Sequence, residues 1–215
     1  MHNQPRNLYC YNINFLYSFI FFLLLVFCSF NAKCQDDNTP LQIDITGGKI
    51  QPMPIAISVF SINGEINEDM KILVESIPNL IAKNLINSGF FKLLDREAYM
   101  QPPEALINRP KFRDWRIIDA QTLISGTVSK KTEDKVSVSI EMWDVYGERR
   151  MLGITLASKV RSWRRIAHIF SDKVYERLTG ETGYFDTRIV YISETGDQKN
   201  RIKRLAIMDQ DGANH

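Results

Sequence analysis

The chain has 215 residues, 27 basic against 25 acidic, with a net charge of +2, 44% hydrophobic and 11% aromatic residues. That length allows one or two domains with a proper core, and the plentiful aromatics exclude wholesale disorder. Near-neutrality argues against a polyanion partner held by bulk charge, and three cysteines exclude a disulfide-dense scaffold.

The averages conceal an asymmetry. Residues 1–34 carry Arg6 and Lys33, no acid, and all three cysteines, Cys10, Cys28 and Cys34. The 27 basic residues less these two leave 25 against 25 acids in residues 35–215. From Phe15 to Phe30 the sequence FLYSFIFFLLLVFCSF is an uncharged apolar run of 16 residues. A membrane span needs about 20. A shorter run with a basic lead and small residues at its exit reads as a secretory signal peptide. Ala32-Lys33-Cys34 supplies that exit, with cleavage expected between Cys34 and Gln35. Cleavage after Ala32 would place bulky Phe30 where a small residue is wanted. An uncleaved N-terminal anchor is the alternative. A lipoprotein signal fits poorly, since neither Cys28 nor Cys34 follows a run of small residues. Cleavage after Cys34 leaves an exported chain without cysteine, which removes thiol catalysis, thiolate metal sites and disulfides together.

Residues 35–40, QDDNTP, are polar. Leu41-Gln42-Ile43-Asp44-Ile45 alternates as a half-buried strand does, and Thr46-Gly47-Gly48 breaks it. Residues 55–60, IAISVF, read as a largely buried strand. Ile66, Met70, Leu73, Val74 and Ile77 recur at helical spacing, followed by Leu80, Ile81 and Leu85. Pro78 would cost roughly 3 kcal/mol in a helix interior. A new helix is therefore expected just before it, with Ser76 as N-cap and Gly89 as the left-handed terminator. Residues 68–75 then form a separate short helix or a kinked extension. Residues 91–94 are a short strand. Residues 95–119, with three prolines, form a surface crossing anchored by Trp115.

Three strands are expected over 120–129, 136–146 and 149–160, as an antiparallel meander. In the second, Val136, Val138, Ile140 and Met142 share one face. Ser162 opens another helix, with Trp163, Ile166, Ile169, Phe170, Val174 and Leu178 as its apolar stripe and Gly180 at its end. Arg161, Arg164 and Arg165 read as a solvated basic cluster. Residues 35–180 thus predict an α+β fold, a mixed β-sheet with two or three helices on one face. Residues 181–215 predict a β-hairpin, strands at 188–193 and 202–208, closed by the turn Asp209-Gln210-Asp211-Gly212. An isolated hairpin is marginal in water, so further β-structure is its natural companion.

Groups for catalysis are scarce. Beyond residue 34 the histidines are His168 and His215. His168, one position off the apolar stripe, reads as a helix-boundary histidine with a local hydrogen bond. No nucleophile-elbow, zinc-protease or phosphate-loop spacing occurs. Asp209-Gln210-Asp211-Gly212 begins like a calcium loop, but reads as a β-turn. No catalytic residue, metal site or cofactor is expected. An exported module of this kind points to binding or scaffolding, not catalysis.

Four stretches resemble the TolB family of the Tol-Pal envelope system. They are Asn84-Leu85-Ile86-Asn87-Ser88-Gly89-Phe90-Phe91 running into Leu94-Asp95-Arg96; Trp115 with Asp119-Ala120 and Gly126-Thr127-Val128; residues 172–180, DKVYERLTG; and residues 185–191, FDTRIVY, followed by residues 208–214, MDQDGAN. The resemblance implies an N-terminal α/β domain followed by a β-propeller, of which residues 181–215 would be the first strands. It implies a non-enzymatic periplasmic adaptor serving outer-membrane invagination at division and envelope integrity. It implies a TolA-type inner-membrane partner at the mature N-terminus, here Gln35, Asp36, Asp37, Leu41, Ile43 and Ile45. A Pal-type lipoprotein partner belongs to the propeller of the family. Residues 41–45 could instead pair with their own sheet. Two other classes remain: a fragment of a secreted hydrolase with a propeller gating domain, and an anticodon-binding-like module. The leader and the neutral mature chain argue against nucleic acid, and no small-molecule substrate is expected.

Overall fold

The computed structural model describes residues 51–197 and 199–215. The expected strand at 41–45, the cleavage site at Cys34 and Gln35, and the partner segment from Gln35 to Ile45 lie outside the described residues.

Strand β1 (Met53–Ile57) is buried on both faces, with Ile55, Ala56 and Ile57 all inaccessible. It runs parallel to β3 (Phe91–Leu93) on one side and to β4 (Thr122–Thr132) on the other. After residues 58–60 the chain rejoins β4 as the short β2 (Ser61–Ile62). Strand β4 then pairs antiparallel with β5 (Lys135–Asp144), and β5 with β6 (Arg149–Lys159). The sheet is mixed, as expected, with the order β3-β1-β4-β5-β6. Its meander is the one the alternation predicts. Val136, Val138, Ile140 and Met142 are buried, while Ser137, Ser139 and Glu141 are half-exposed.

Helix α1 (Glu68–Asn87) corrects the reading at Pro78. Asn67, not Ser76, is the N-cap, and its side chain accepts from the Met70 N–H at 2.9 Å. The helix runs unbroken through buried Pro78. A proline leaves the carbonyl four residues earlier without its helical donor. Here that carbonyl, Val74, accepts instead from the Phe60 N–H at 2.9 Å. A strand-side donor repairs the gap, so the chain has no reason to break. Ile66 falls outside the helix and is 66% exposed. Gly89 ends the segment at φ +79°, in the left-handed region.

Helices α1 and α3 (Trp163–Thr179) pack side by side on one face of the sheet, over Ile55, Ile57, Ile124, Val138, Ile140 and Met142. The opposite face carries a second core, where Ala56, Leu123 and Trp143 meet residues 95–120. There α2 (Phe112–Ile117) seats Trp115, 1% exposed, against Tyr99 with ring centres 5.0 Å apart. The third helix therefore covers the other side of the sheet from the two long ones.

Gly126 of β4 lies under the Phe60 ring. A Cβ there would stand 2.8 Å from that ring and 2.8 Å from the Ser139 carbonyl oxygen. Gly126→Ala should lower stability by about 1–3 kcal/mol, since a packed core resists added volume. An unchanged urea midpoint would show that Phe60 can move aside without cost.

The junction of helix α3 and the hairpin

Strands β7 (Arg188–Thr195) and β8 (Ile202–Asp209) form the expected antiparallel hairpin, in register from Arg188↔Asp209 to Thr195↔Ile202. Its base is fixed to the domain by two groups of contacts.

The first holds the chain entering β7. The Asp172 carboxylate of α3 accepts from the backbone N–H of Phe185 at 2.6 Å and of Asp186 at 3.1 Å. Burial raises the Asp172 carboxyl above its ordinary range, against the pull of these two N–H groups. Gly183 passes so close to Asp172 that a Cβ would collide with its Cα at 2.4 Å. Phe185 is thereby pressed into the core, edge-on to Tyr175 at 5.7 Å. Phe90 and Phe91, which follow α1, meet the same Tyr175 ring.

The second group holds the turn after β8. Arg164 forms an ion pair with Asp211, whose side chain is 4% exposed. Burial opposes the charge of Asp211, but the hydrogen bonds from Arg164 and from the Ala213 N–H outweigh it and hold the carboxyl below its usual range. Gln210 Nε2 donates to Asn84 Oδ1 at 3.2 Å. Asn84, 1% exposed, donates from Nδ2 to Ser171 Oγ at 2.9 Å and lies 3.0 Å from His168 Nδ1. Burial pushes the His168 pKa below its ordinary value; nearby Arg164 adds to this, while Asp211, Asp209 and Asp186 oppose it. A cleft of about 730 Å³ opens beside these groups, lined by Arg161, Arg165 and His168 of one side and Arg188, Met208 and Asp209 of the other.

Two expectations change. His168 is no boundary residue: it is 2% exposed, and its partner Asn84 is 84 positions away in sequence. Of the basic cluster, Arg161 and Arg165 are solvated, but Arg164 turns inward to Asp211. Asp209 to Gly212 do form a turn, with the Gly212 N–H donating to the Asp209 carbonyl at 2.9 Å. Their side chains reach the domain as well. Sequence reasoning missed Asn84 and Asp172 as junction residues. The available signal was a polar residue at helical spacing from buried neighbours, one turn after Ile81 in the case of Asn84.

The model of the TolB amino-terminal domain matches residues 41–151, just over half of the chain. This chain belongs to the TolB family. A Tol-Pal system protein TolB of Pelagibacter ubique is 40% identical over 205 residues, covering 93% of this chain and 44% of the relative. A namesake from Paramagnetospirillum magneticum is 43% identical over 175 residues, covering 81% of this chain and 38% of its own length. The chain thus spans less than half the length of these relatives. The crystal structure of TolB from Acinetobacter baumannii superposes with a TM-score of 0.63 at 24% identity, over 76% of this chain and 37% of that one, which shows a shared fold. The stretches that carry the resemblance in sequence include the residues that build the junction: Asn84, Asp172, Phe185, Asp186 and the 209–212 turn.

Asn84 touches both helices and the hairpin turn. Asn84→Ala should cost about 1–3 kcal/mol, because it strands Ser171, Gln210 and the His168 ring without their common partner. Hydrogen exchange should quicken in the 209–214 turn ahead of the β4–β5 ladder. Uniform exchange across both would show that the network does not hold the hairpin.

Proposed function

We propose that this chain is a non-enzymatic periplasmic adaptor of the Tol-Pal system. In this reading it links inner-membrane Tol proteins to the outer membrane and peptidoglycan, for outer-membrane invagination at division and for envelope integrity. The observation that carries the reading is the match to the TolB amino-terminal domain, joined to relatives named as Tol-Pal system proteins. The leader-like residues 1–34 support export to the periplasm.

The contact with a TolA-type protein is assigned to Gln35, Asp36, Asp37, Leu41, Ile43 and Ile45. Its chemistry is strand addition: main-chain hydrogen bonds to a partner edge, with the three apolar side chains filling alternate pockets. Residues 181–215 are assigned as the start of a propeller. Both faces of the hairpin are apolar in support of this, Val190, Ile192, Leu205 and Ile207 on one and Ile189, Tyr191, Ala206 and Met208 on the other. A Pal-type partner is assigned to the complete propeller of the family.

Two measurements test the reading. Mass spectrometry of the chain recovered from the periplasm should give a mature terminus at Gln35; an intact Met1 would mean an uncleaved anchor. Calorimetric titration with the C-terminal domain of a TolA-type protein should show binding that is lost when residues 35–45 are deleted. Equal affinity with and without them would remove the proposed contact.

A further inference from the structure

At the base of the hairpin three donor groups from two elements converge. His168 projects from the middle of α3, Asp209 closes β8, and Asp211 sits in the turn that follows. One donor atom from each lies within 4.8 Å of the other two. His168 Nε2 is buried and has no hydrogen-bond partner among the described residues, on a residue only 2% exposed. An unpartnered buried nitrogen carries a desolvation cost that native structures avoid. The ring that carries it lies beside two carboxylates, one of which, Asp211, is itself all but inaccessible.

We propose that His168, Asp209 and Asp211 bind a divalent transition-metal ion of the zinc type. One imidazole and two carboxylates form a borderline nitrogen–oxygen donor set that suits zinc and its neighbours better than magnesium or calcium. Three protein ligands leave a fourth position for water or a partner's side chain. Ligand atoms on one tetrahedral ion stand roughly 3.4 Å apart. The donor atoms, all within 4.8 Å of one another, must draw together to reach that spacing.

An outer shell forms if two amides exchange roles. His168 Nδ1 lies 3.0 Å from the Asn84 amide, which lies 3.2 Å from the Gln210 amide. Nitrogen and oxygen of these two amides can exchange roles with no heavy atom moving. Asn84 Oδ1 then accepts from His168 Nδ1–H, Gln210 Oε1 accepts from Asn84, and the Nε2 lone pair is left free for an ion. A carbonyl on the far nitrogen is the common support of a metal-bound histidine. Ser171 Oγ, now donating to the Ala167 carbonyl at 2.8 Å, can donate to Asn84 instead.

Four carboxylates, Asp172, Asp186, Asp209 and Asp211, stand near four arginines, Arg161, Arg164, Arg165 and Arg188, three of which pair with three of the acids. Arg164 is the direct competitor, since it already lies on Asp211. Asp211 also accepts from the Ala213 N–H at 3.3 Å, and Asp209 from Asn214 Nδ2 at 2.5 Å. Each carboxylate has acceptor sites to spare.

Titrating the full-length chain with Co2+ tests the site, because its absorption distinguishes nitrogen and oxygen ligation from thiolate ligation by Cys10, Cys28 or Cys34. The expected result is saturable nitrogen–oxygen ligation, reversed by Zn2+. His168→Gln and Asp209→Asn should each weaken it at least about tenfold, and His215→Ala should leave it unchanged. Asp209→Asn decides the matter if the His168 variant fails to fold, since binding unchanged by it would overturn the proposal. Thiolate spectra alone, or affinity insensitive to His168, would overturn the proposal without touching the adaptor reading.

Discussion

Two helices far apart in sequence have to cover one face of one sheet, and a single buried amide fixes how they do it. Apolar packing between α1 and α3 is non-directional, so Ile77, Ile81 and Leu85 could meet Ile166, Phe170 and Val174 in more than one register. Asn84 removes that freedom. Its side chain needs partners once buried, and His168 and Ser171, one helical turn apart, offer them at a single axial setting. The remaining oxygen of Asn84 takes Gln210, so the same amide sets the hairpin turn against both helices. The cost of burying polar groups is converted into specificity of position.

Helix α3 consequently serves two surfaces. Ile166, Phe170 and Val174 face the sheet. Arg164, His168 and Asp172, each four residues from the next, form a polar stripe beside them that receives the hairpin. Tyr175 closes the stripe with its ring against Phe90, Phe91, Tyr184 and Phe185. Lys173 and Arg177 keep the solvated side. A core helix that is also a mount ties the hairpin to the position of the sheet.

Periodicity made much of this legible. The β4–β5–β6 meander, the stripe of α3, the glycine ends at Gly89 and Gly180, and the anchoring of Trp115 all follow from local pattern, because each depends on neighbours close in sequence. What stayed hidden depends on distant partners. Pro78 obeys the rule that a proline frees a carbonyl, but no local pattern says that Phe60 will supply the missing donor. The arginines at 161, 164 and 165 look alike along the chain, and only the return of Asp211, 47 residues after Arg164, separates one of them. His168 reads as marginal until Asn84 is brought to it. The candidate site is composed wholly of such long-range pairs, so its members were visible one by one and their convergence was not.

Strand β5 alternates because one face meets helices and the other meets water. Strand β1 does not alternate because both faces are covered. Strands β7 and β8 follow β1: apolar side chains stand on both faces. Yet Ile192 is 67% and Leu205 79% exposed, and no described residue covers them. Near the base, Met208 and Asp209 are sheltered, because α3 lies beside them. Among the apolar residues, exposure is lower at Ile189 and Ile207 near the base, 41% and 45%, than at Ile192 and Leu205. In relatives more than twice as long as the matched span, chain is available to provide that cover. Asp172 and Asn84 hold the base of the hairpin against its own domain, which leaves the apolar residues of both its faces open.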